Sequence, residues 1–291
     1  MRPASASARR ARPLLGTFVE IAAWGPPGVL DGAIDAAFAA VAQVHGLMSF
    51  HEPSSDLGRV NREASRGAVT VHPWTSAVLR AALDLHRVSE GLFDITVAPV
   101  LQRLGHLPGR APGGHPAEAP RDAGFELLGA DRLRFRRPGV RIDLGGIAKG
   151  FAVDRALDVL RDHGAKRGLI NAGGDLAVFG AAGERVWLRD PRRPAASLGH
   201  VTIRNEAIAS SGGGRALVVD PRRAAPSLGI RGATVLAPSC LLADALTKLV
   251  RIAGEAAGPV LERYGASALF LSAGGLVHVT RDWSTRVRRA S

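Results

Sequence analysis

The chain has 291 residues, of which 46% are hydrophobic and 22% are charged, and a chain of this kind can bury a substantial core. Apolar residues recur at regular spacing almost throughout, which excludes wholesale disorder. The formal net charge is +12, and a basic balance favours anionic ligands. The basic residues are dispersed and no groove-reading motif is present, so we expect no nucleic-acid partner.

Cysteine usage and hydropathy bear on the compartment. Cys240 is the only cysteine, which excludes an intrachain disulfide framework. The N-terminal sequence MRPASASARRARPLLG is basic without the apolar run of a signal peptide, and no segment approaches the roughly 20 apolar residues of a membrane span. We therefore expect a cytoplasmic protein for the sequence as written, or a periplasmic one if an export signal is missing from it.

Composition along the chain predicts one large domain between two short tails. Residues 1–12 are basic and are predicted to be a disordered tail, and residues 284–291 are predicted to be a second basic tail. Residues 13–283 are predicted to form a single domain, either undivided or built from two packed α+β halves. Within it, residues 105–121 are rich in glycine and proline, which predicts a long surface loop.

Hydrophobic periodicity predicts interleaved helices and short strands. Residues 14–24 have the composition of a strand, residues 29–47 and 75–89 repeat apolar side chains at helical spacing, and Thr75 is the expected cap of the second helix. The polar residues 48–64 are predicted to connect these two helices. Further strands are predicted near residues 125–128, 133–135, 140–144, 169–170, 176–179, 186–188, 200–204, 207–209, 216–219, 234–237, 268–272 and 276–280, and further helices at 147–163, at 239–253 and directly after 253. Helices interleaved with mostly antiparallel strands favour the α+β class.

The most informative segment is RIDLGGIAKG, residues 141–150. A strand delivers Asp143 to a pair of glycines, and a helix begins immediately afterwards. Glycines let a ligand approach the backbone, and a helix N-terminus offers unpaired N–H groups and positive potential. Lys149 in the first turn adds a full positive charge, and the arrangement suits a pyrophosphate. It is neither a P-loop nor the G-x-G-x-x-G fingerprint, and a tight strand-to-helix turn with a surface lysine remains the alternative.

A second element, ADALTK, lies near the start of a late predicted helix. Asp244 and Thr247 are three residues apart, so both side-chain oxygens can face one point. A carboxylate and a hydroxyl are oxygen ligands of the kind that Mg²⁺ accepts together with waters and ligand phosphates. The alternative is an aspartate that stabilises the helix dipole. Asp94 and Asp175 also stand beside glycines or turns.

Taken together, seven segments resemble the ApbE family, the FAD:protein FMN transferases. The segments are LLGTFVEI, MSFHEPSSDLGRVN, GLFDITVAPVL, RIDLGGIAKGFAVD, GLINAGGDLAVFG, AIASSGG and ADALTKLV. Their order and spacing extend the resemblance from about residue 14 to residue 280, and RIDLGGIAKGFAVD followed by INAGGDL is quite specific to the family. The resemblance implies an ApbE-like, T-fold-related architecture of mostly antiparallel sheets with packed helices.

The resemblance also implies an activity, its cofactors and a partner. Family members cleave the pyrophosphate of FAD and attach FMN, through a phosphoester, to a threonine or serine hydroxyl of another protein, releasing AMP. FAD is then a substrate, and Mg²⁺ neutralises the charge that develops on phosphate oxygens. The expected partner is an acceptor flavoprotein subunit.

Site residues are carried over by position in the same way. The residues implied to bind FAD are Leu15, Phe50, Phe93, Asp94, Asp143, Lys149 and Val218. Asp143 and Lys149 are also the implied catalytic residues. The metal would be held by the backbone oxygen of Gly146 and the side chains of Asp244 and Thr247. For the two phenylalanines, packing in the core is the alternative.

The sequence departs from the family pattern at two places. Many relatives have a histidine where this chain has Leu217, and a leucine can neither take a proton nor orient a nucleophile. Many also have a threonine where this chain has Lys248, whose ammonium cannot ligate Mg²⁺; it would either replace part of the cation's role or pair with the neighbouring aspartate. The alternative function is therefore an FAD-binding protein with impaired transfer, serving binding, storage or slow FAD hydrolysis. His51 and His200 are conceivable replacement bases, although each is expected to be an ordinary solvated side chain.

Overall fold

The computed structural model describes residues 6–109, 122–190, 193–212, 217–280, 283 and 287–289. The strand pairings within these residues are antiparallel, and helices are interleaved with the strands. The predicted α+β class is confirmed. Most of the predicted glycine- and proline-rich loop, residues 110–121, lies outside the described part of the chain.

The helices are α1 (Leu30–Met48), α2 (Asp56–Glu63), α3 (Pro73–Val88), α4 (Ala98–Arg103), α5 (Ala148–Asp162), α6 (Cys240–Ala253) and α7 (Gly258–Arg263), with short 3-10 helices at Ile95–Val97 and Gly254–Ala257. The strands are β1 (Ala6–Leu14), β2 (Thr17–Gly25), β3 (Val69–Thr70), β4 (Phe125–Leu128), β5 (Arg132–Phe135), β6 (Arg167–Ala172), β7 (Asp175–Phe179), β8 (Glu184–Asp190), β9 (Arg193–Ile203), β10 (Ala207–Gly212), β11 (Val219–Asp220), β12 (Ala225–Pro226), β13 (Ile230–Ala237), β14 (Ser267–Ser272), β15 (Val277–Val279) and β16 (Val287–Arg289). Among the described residues, no helix has both the length and the apolar character needed to cross a bilayer.

Three layers organise the molecule around an eight-stranded sheet of order β1-β2-β6-β7-β10-β13-β14-β15. On one face α1 lies over β1 and β2, α5 over β6 and β7, and α6 over β10 and β13. On the other face a smaller sheet of order β16-β9-β8 packs through a second apolar cluster. Successive side chains of a strand point to opposite faces of the sheet, so one strand contributes to both apolar cores. On β6, Ile170 belongs to the helix-side core and its neighbour Leu169 belongs to the core on the other face.

The helix-side core draws on residues from Val19 to Phe270, and the single domain of residues 13–283 stays a prediction. It sits between the main sheet and the layer of α1, α5 and α6. This layer matters for function because it holds the starts of α5 and α6 side by side against the sheet.

The predicted disorder of residues 1–12 is wrong for residues 6–12. They belong to β1, which pairs with β2 along its whole length. Arg10 forms an ion pair with Asp31 at 2.6 Å, and Arg12 forms one with Asp35 at 2.7 Å, so the basic run lies on the side of α1. Arginines along an edge strand also discourage pairing with another chain. Residues 1–5 lie outside the described residues.

The predicted C-terminal tail is described only at Val287–Arg289. These residues pair with β9 as strand β16, so that part of the predicted tail belongs to the smaller sheet. The neighbouring residues 284–286 and 290–291 lie outside the described part of the chain.

The helix that follows the predicted polar connection begins earlier than expected. Its N-cap is His72, whose side chain accepts from the Trp74 N–H at 3.1 Å. Thr75 lies inside the helix instead, and its hydroxyl donates to Asp56 Oδ2 at 2.8 Å. The predicted cap is therefore wrong, because a histidine performs a role that sequence patterns assign to serine, threonine, aspartate or asparagine.

The predicted connection of residues 48–64 contains a helix, α2, that hydrophobic periodicity does not reveal. Ser55 caps it by accepting from the Gly58 N–H at 2.9 Å. Only Asp56, Leu57 and Val60 of its residues are buried, so a helix of this length has too few apolar positions to produce a repeating pattern.

Candidate functional site

The first turns of α5 and α6 are in direct contact, and this junction is the centre of the candidate site. The Gly150 N–H donates to Asp244 Oδ2 at 3.1 Å. A Cβ atom at Gly150 would overlap the carbonyl oxygen of Cys240, so only glycine allows this approach. Asp154, further along α5, accepts from the N–H groups of Cys240 at 2.8 Å and Leu241 at 2.9 Å. The glycine turn before Lys149 and Asp244 therefore lie together, as the sequence predicts.

Two lysines and two buried aspartates lie at this junction, and we call Lys149, Asp175, Asp244 and Lys248 the lysine–aspartate cluster. Lys149 Nζ forms an ion pair with Asp175 Oδ2 and lies 3.9 Å from Asp244 Oδ1. Lys248 Nζ forms an ion pair with Asp244 Oδ1 and lies 3.0 Å from the Asp244 carbonyl oxygen. The side chains of Asp175 and Asp244 are 2% and 0% exposed. The predicted pairing of Lys248 with Asp244 is confirmed. The pairing of Asp175 with Lys149 was not predicted, because the only sequence signal at Asp175 is the glycine turn before it.

Burial and the charges of neighbouring residues together shift the pKa values of Asp175 and Lys149 in the cluster. Burial and then the charge of Asp244 raise the pKa of Asp175 to about 6, against the opposing charge of Lys149. Burial acts to lower the pKa of Lys149, but the charges of Asp244 and Asp175 outweigh it and raise that pKa well above its ordinary value. Lys149 therefore carries a positive charge at neutral pH.

Asp143 stands at the entrance to the glycine turn. Its backbone N–H donates to the carbonyl oxygen of Ile95 at 2.8 Å, which fixes the end of this segment against the 3-10 helix. Burial raises the pKa of its carboxyl group, while the Gly145 N–H and the charges of His51 and Lys248 act in the opposite direction. Asp143 is therefore a partly buried carboxyl group that faces the same junction as Lys248.

Two tight hairpin turns, one between β1 and β2 and one between β6 and β7, lie beside each other at one end of these strands of the main sheet. Leu15 and Gly16 form the two-residue turn between β1 and β2, with φ of 55° and 70°, and a positive φ costs a leucine roughly 1 kcal/mol. Gly173 and Gly174 form the turn between β6 and β7, with φ of 63° and 103°. A Cβ atom at Gly173 would lie 2.6 Å from Thr17 Oγ1, so the turns are in contact. Leu15, a predicted flavin contact, is thus held in a strained turn near the cluster.

Three further predicted FAD contacts, Phe50, Phe93 and Asp94, differ in their surroundings. Phe50 is partly buried and meets the ring of His51 edge-on, with 6.5 Å between ring centroids. Phe93 is 5% exposed and belongs to the core, which favours the packing alternative. The Asp94 carboxylate caps the 3-10 helix by accepting from the Thr96 N–H and hydroxyl, both at 2.7 Å, and burial raises its pKa.

Leu217 and Val218 precede the short β11–β12 hairpin. Leu217 is partly exposed and Val218 is buried, and the Val218 carbonyl oxygen accepts from the Ser227 N–H at 2.8 Å. The Arg222 guanidinium donates to the carbonyl oxygen of Glu90 at 3.1 Å, which ties this hairpin to the turn before Phe93 and Asp94. The hairpin thus borders the segment that carries two of the predicted FAD contacts.

The two conceivable replacement bases lie in different places. His200 contacts the ring of Trp187 at 5.1 Å between centroids and lies on β9, in the smaller sheet behind the main sheet. His51 is exposed on the helix side, near enough to influence the pKa of Asp143. Of the two, His51 is the one that lies near a predicted catalytic residue, Asp143.

The predicted metal ligands are brought together, but their arrangement does not fit a divalent cation. Asp244 has one oxygen paired with Lys248 and the other bound to the Gly150 N–H, and the Thr247 hydroxyl donates to the Asp244 carbonyl oxygen at 2.7 Å. A Cβ atom at Gly146 would lie 3.6 Å from Lys248 Cε, so the lysine side chain runs beside the glycine that carries the predicted backbone ligand. A +2 ion about 4 Å from an ammonium is repelled by roughly 8 kcal/mol at an effective dielectric constant of about 20.

No cluster of three or more histidine, cysteine, aspartate or glutamate residues suited to a metal occurs in the described part of the chain. A cation at Asp244 would first require Lys248 to leave the carboxylate. The donor set has the oxygen chemistry that Mg²⁺ accepts, yet the resident ammonium already occupies its position.

The three-layer α+β fold is that of solved flavin transferases. It superposes on the flavin transferase ApbE from Vibrio cholerae with a TM-score of 0.83, at 22% identity over 98% of this chain and 100% of that chain. It superposes on the ApbE protein of Thermotoga maritima with a TM-score of 0.84, at 23% identity over 98% and 100%. The model of the ApbE family matches residues 15–270, and the chain belongs to the ApbE family.

Curated relatives of this chain are named FAD:protein FMN transferase. The chain is 27% identical to the FAD:protein FMN transferase of Vibrio cholerae serotype O1 over 274 residues, which covers 84% of this chain and 81% of the relative. It is 27% identical to the FAD:protein FMN transferase of Escherichia coli K12 over 257 residues, which covers 79% of this chain and 73% of that protein. These relatives extend the likeness from the fold to the amino-acid sequence over more than three quarters of this chain.

Proposed function

We propose that this protein is a FAD:protein FMN transferase that moves FMN from FAD to a threonine or serine hydroxyl of an acceptor flavoprotein and releases AMP. The observation that carries this proposal is the convergence of the glycine turn at the start of α5 with Lys149, Lys248 and Asp244. Family membership and the names of the relatives point to the same reaction. The charge and shape of the junction suit a diphosphate bound at a helix N-terminus.

Asp143 and Lys149 have the proposed catalytic roles in this transfer. The acceptor hydroxyl attacks the phosphorus of the FMN half, the bond to the AMP phosphate oxygen breaks, and the hydroxyl proton goes to a base. Asp143 is the proposed base, because burial raises the pKa of its carboxyl group and a less acidic carboxylate accepts a proton more readily. Lys149 stays charged and stabilises the negative charge that develops on the phosphate oxygens.

The sequence resemblance implies Mg²⁺ as a cofactor, held by Gly146, Asp244 and Thr247. When bound, it would supply charge neutralisation at the diphosphate. The present arrangement opposes it, because Lys248 pairs with Asp244, and the steps above do not depend on it.

The direct test is mass spectrometry of an acceptor flavoprotein after incubation with this protein and FAD, in parallel samples with Mg²⁺ and with a chelator. We expect the acceptor to gain the mass of FMN less one water, as phosphoester formation requires, and free AMP to appear in equal amount. An acceptor peptide with its target threonine replaced by alanine is the control and should stay unmodified. FAD bound without any covalent flavin on the acceptor would reject transfer as the function.

Leu217 favours a second candidate function, which is FAD binding with impaired transfer. A partly exposed leucine at the position of the family histidine leaves the acceptor hydroxyl without that proton acceptor. On this hypothesis, Leu217→His raises the rate of flavin transfer while FAD affinity stays the same. Rapid transfer by the unaltered protein, with no gain in the Leu217→His variant, would exclude it.

A further inference from the structure

The ammonium groups of the lysine–aspartate cluster lie nearer to solvent than the carboxylates. The side chains of Lys149 and Lys248 are 31% and 22% exposed, whereas those of Asp175 and Asp244 are 2% and 0% exposed. A ligand that approaches from solvent therefore meets two ammonium groups before either acid. The two acids beneath hold these ammonium groups in place.

Lys248 has the contacts that a bound cation would have at this site. Its Nζ is paired with Asp244 Oδ1 and lies 3.0 Å from the Asp244 carbonyl oxygen. Its methylene groups run along Gly146, where an added Cβ atom would lie 3.6 Å from Lys248 Cε and 3.7 Å from Lys248 Cγ. The carboxylate, the helix carbonyl and the glycine turn therefore surround one positive charge supplied by the chain itself.

We propose that Lys248 is the resident cation of this site: its ammonium group takes the place of a divalent metal on Asp244 and binds the diphosphate of the flavin nucleotide together with Lys149. This inference rests on the proposed function, because it assumes that FAD is the nucleotide bound. It follows that FAD binds to this protein without a divalent cation. On this proposal, the Lys248 ammonium group, and not a divalent metal ion, neutralises the diphosphate charge beside Asp244.

The geometry gives the proposal a reason beyond proximity. An ammonium on a flexible stem can donate to phosphate oxygens while it keeps its contact with a carboxylate, since it has three N–H donors. Lys248 Nζ donates to two acceptors of Asp244, the carboxylate and the carbonyl oxygen. A third N–H donor thus remains for a ligand, and the Lys248 side chain is 22% exposed.

The experiment is a titration of FAD into the full-length protein, followed by flavin fluorescence, in a chelator and again in excess MgCl₂. We expect the dissociation constants of the unaltered protein to agree within about threefold. Lys248→Met should weaken binding in the chelator by about tenfold or more, which is the change expected for a lost charge-assisted hydrogen bond. Lys248→Thr should restore tight binding only in MgCl₂ and should bind Mn²⁺, detected by the loss of the free-ion electron paramagnetic resonance signal.

Lys166 provides a matched control, because it is exposed at the start of β6, away from the cluster, and Lys166→Met changes the net charge equally. Unaltered protein that binds FAD only with Mg²⁺ overturns the inference, whether or not any variant folds. Equal weakening by Lys248→Met and Lys166→Met also overturns it. FAD binding that fails in both solutions rejects the proposed function as well, whereas metal-free binding without transfer rejects the transfer reaction and leaves the role of Lys248 supported.

Discussion

Lys149 lies between two carboxylates, and its contribution to the reaction can be separated from its contribution to the fold. It pairs with Asp175 and lies 3.9 Å from Asp244, so it both balances the buried acids and offers charge to a ligand. Because its pKa is raised, no change of pH in the neutral range removes that charge. Only substitution does so.

We expect Lys149→Met to lower the rate of flavin transfer by about 100-fold or more, as removal of one stabilising donor from a phosphoryl or acyl transfer site does. The measurement is the rate at which an acceptor gains FMN mass at saturating FAD. Lys166→Met is the control and should keep the unaltered rate. A Lys149→Met variant that is folded and equally fast would remove Lys149 from the proposed catalytic residues.

At the scale of elements, the contact between α5 and α6 positions three members of the lysine–aspartate cluster, Lys149, Asp244 and Lys248, while the fourth, Asp175, lies on β7. Gly150 sits against the Cys240 carbonyl oxygen, and Asp154 receives the first N–H groups of α6. The two helices are therefore locked by backbone contacts at their starts. Any increase in their separation would pull Asp244 away from the glycine turn.

We expect Gly150→Ala to lower the free energy of unfolding by about 3 kcal/mol, because a methyl group has no space there and the surrounding backbone must shift. Gly46→Ala is the matched control, since Gly46 lies in α1 and an added Cβ meets no atom within 4 Å; replacing a helical glycine by alanine should be neutral or stabilising by up to about 1 kcal/mol. Urea unfolding of both variants measures the difference. Equal stability of the two variants would contradict the close contact.

The elements that sequence alone predicts are those with repeated apolar spacing. The helix predicted at 147–163 is found as Ala148–Asp162 and that at 239–253 as Cys240–Ala253, because each buries one face against the sheet. The strand predicted at 14–24 is broken at Leu15, since a leucine with positive φ contradicts local preference and is imposed by the hairpin. Sequence patterns do not predict β1 for a similar reason. Its arginines form ion pairs with aspartates of α1, and this partner helix follows only after β2.

In the candidate site, too, some features follow from sequence motifs and others depend on contacts between distant parts of the chain. The glycine turn and Asp244 belong to segments that resemble the ApbE family, and the resemblance implies that they hold one metal, so their convergence can be expected from the sequence. The pairing of Lys149 with Asp175 joins residues of different elements through the sheet, and no spacing rule specifies it. Likewise, Asp94 serves as a cap through Thr96, which depends on a 3-10 helix too short to leave a periodic signal.

At the scale of the whole molecule, several buried acids make stability depend on pH in an unusual direction. Burial raises the pKa values of Asp94 and Asp143, and raises those of Asp154 and Asp175 to about 6. Between an ordinary aspartate pKa near 4 and the folded value near 6, the unfolded chain has lost protons that the folded protein still holds. The folded state binds more protons in that window, so stability falls as pH rises through it.

We therefore expect the free energy of unfolding to decrease from about pH 4 to about pH 6 and then to level off, and Asp154→Asn to remove part of this slope. The share of Asp154 is at most about 3 kcal/mol, since one pKa unit corresponds to about 1.4 kcal/mol. Asp84, whose pKa is lowered by its hydrogen bond from Tyr264, acts below this window and in the opposite sense. Denaturant titrations at several pH values test the slope, and a slope that Asp154→Asn leaves unchanged would contradict the assignment.

The burial of Cys240 at the α5–α6 junction has a practical consequence. It is the only cysteine, it is 0% exposed, and burial raises its pKa well above the ordinary value, so the native protein should resist alkylating reagents and peroxide. A thiol label can then enter only when the starts of α5 and α6 separate. The chain thus contains its own single-site reporter of junction opening, and the labelling rate with and without nucleotide would measure how firmly the ligand closes that contact.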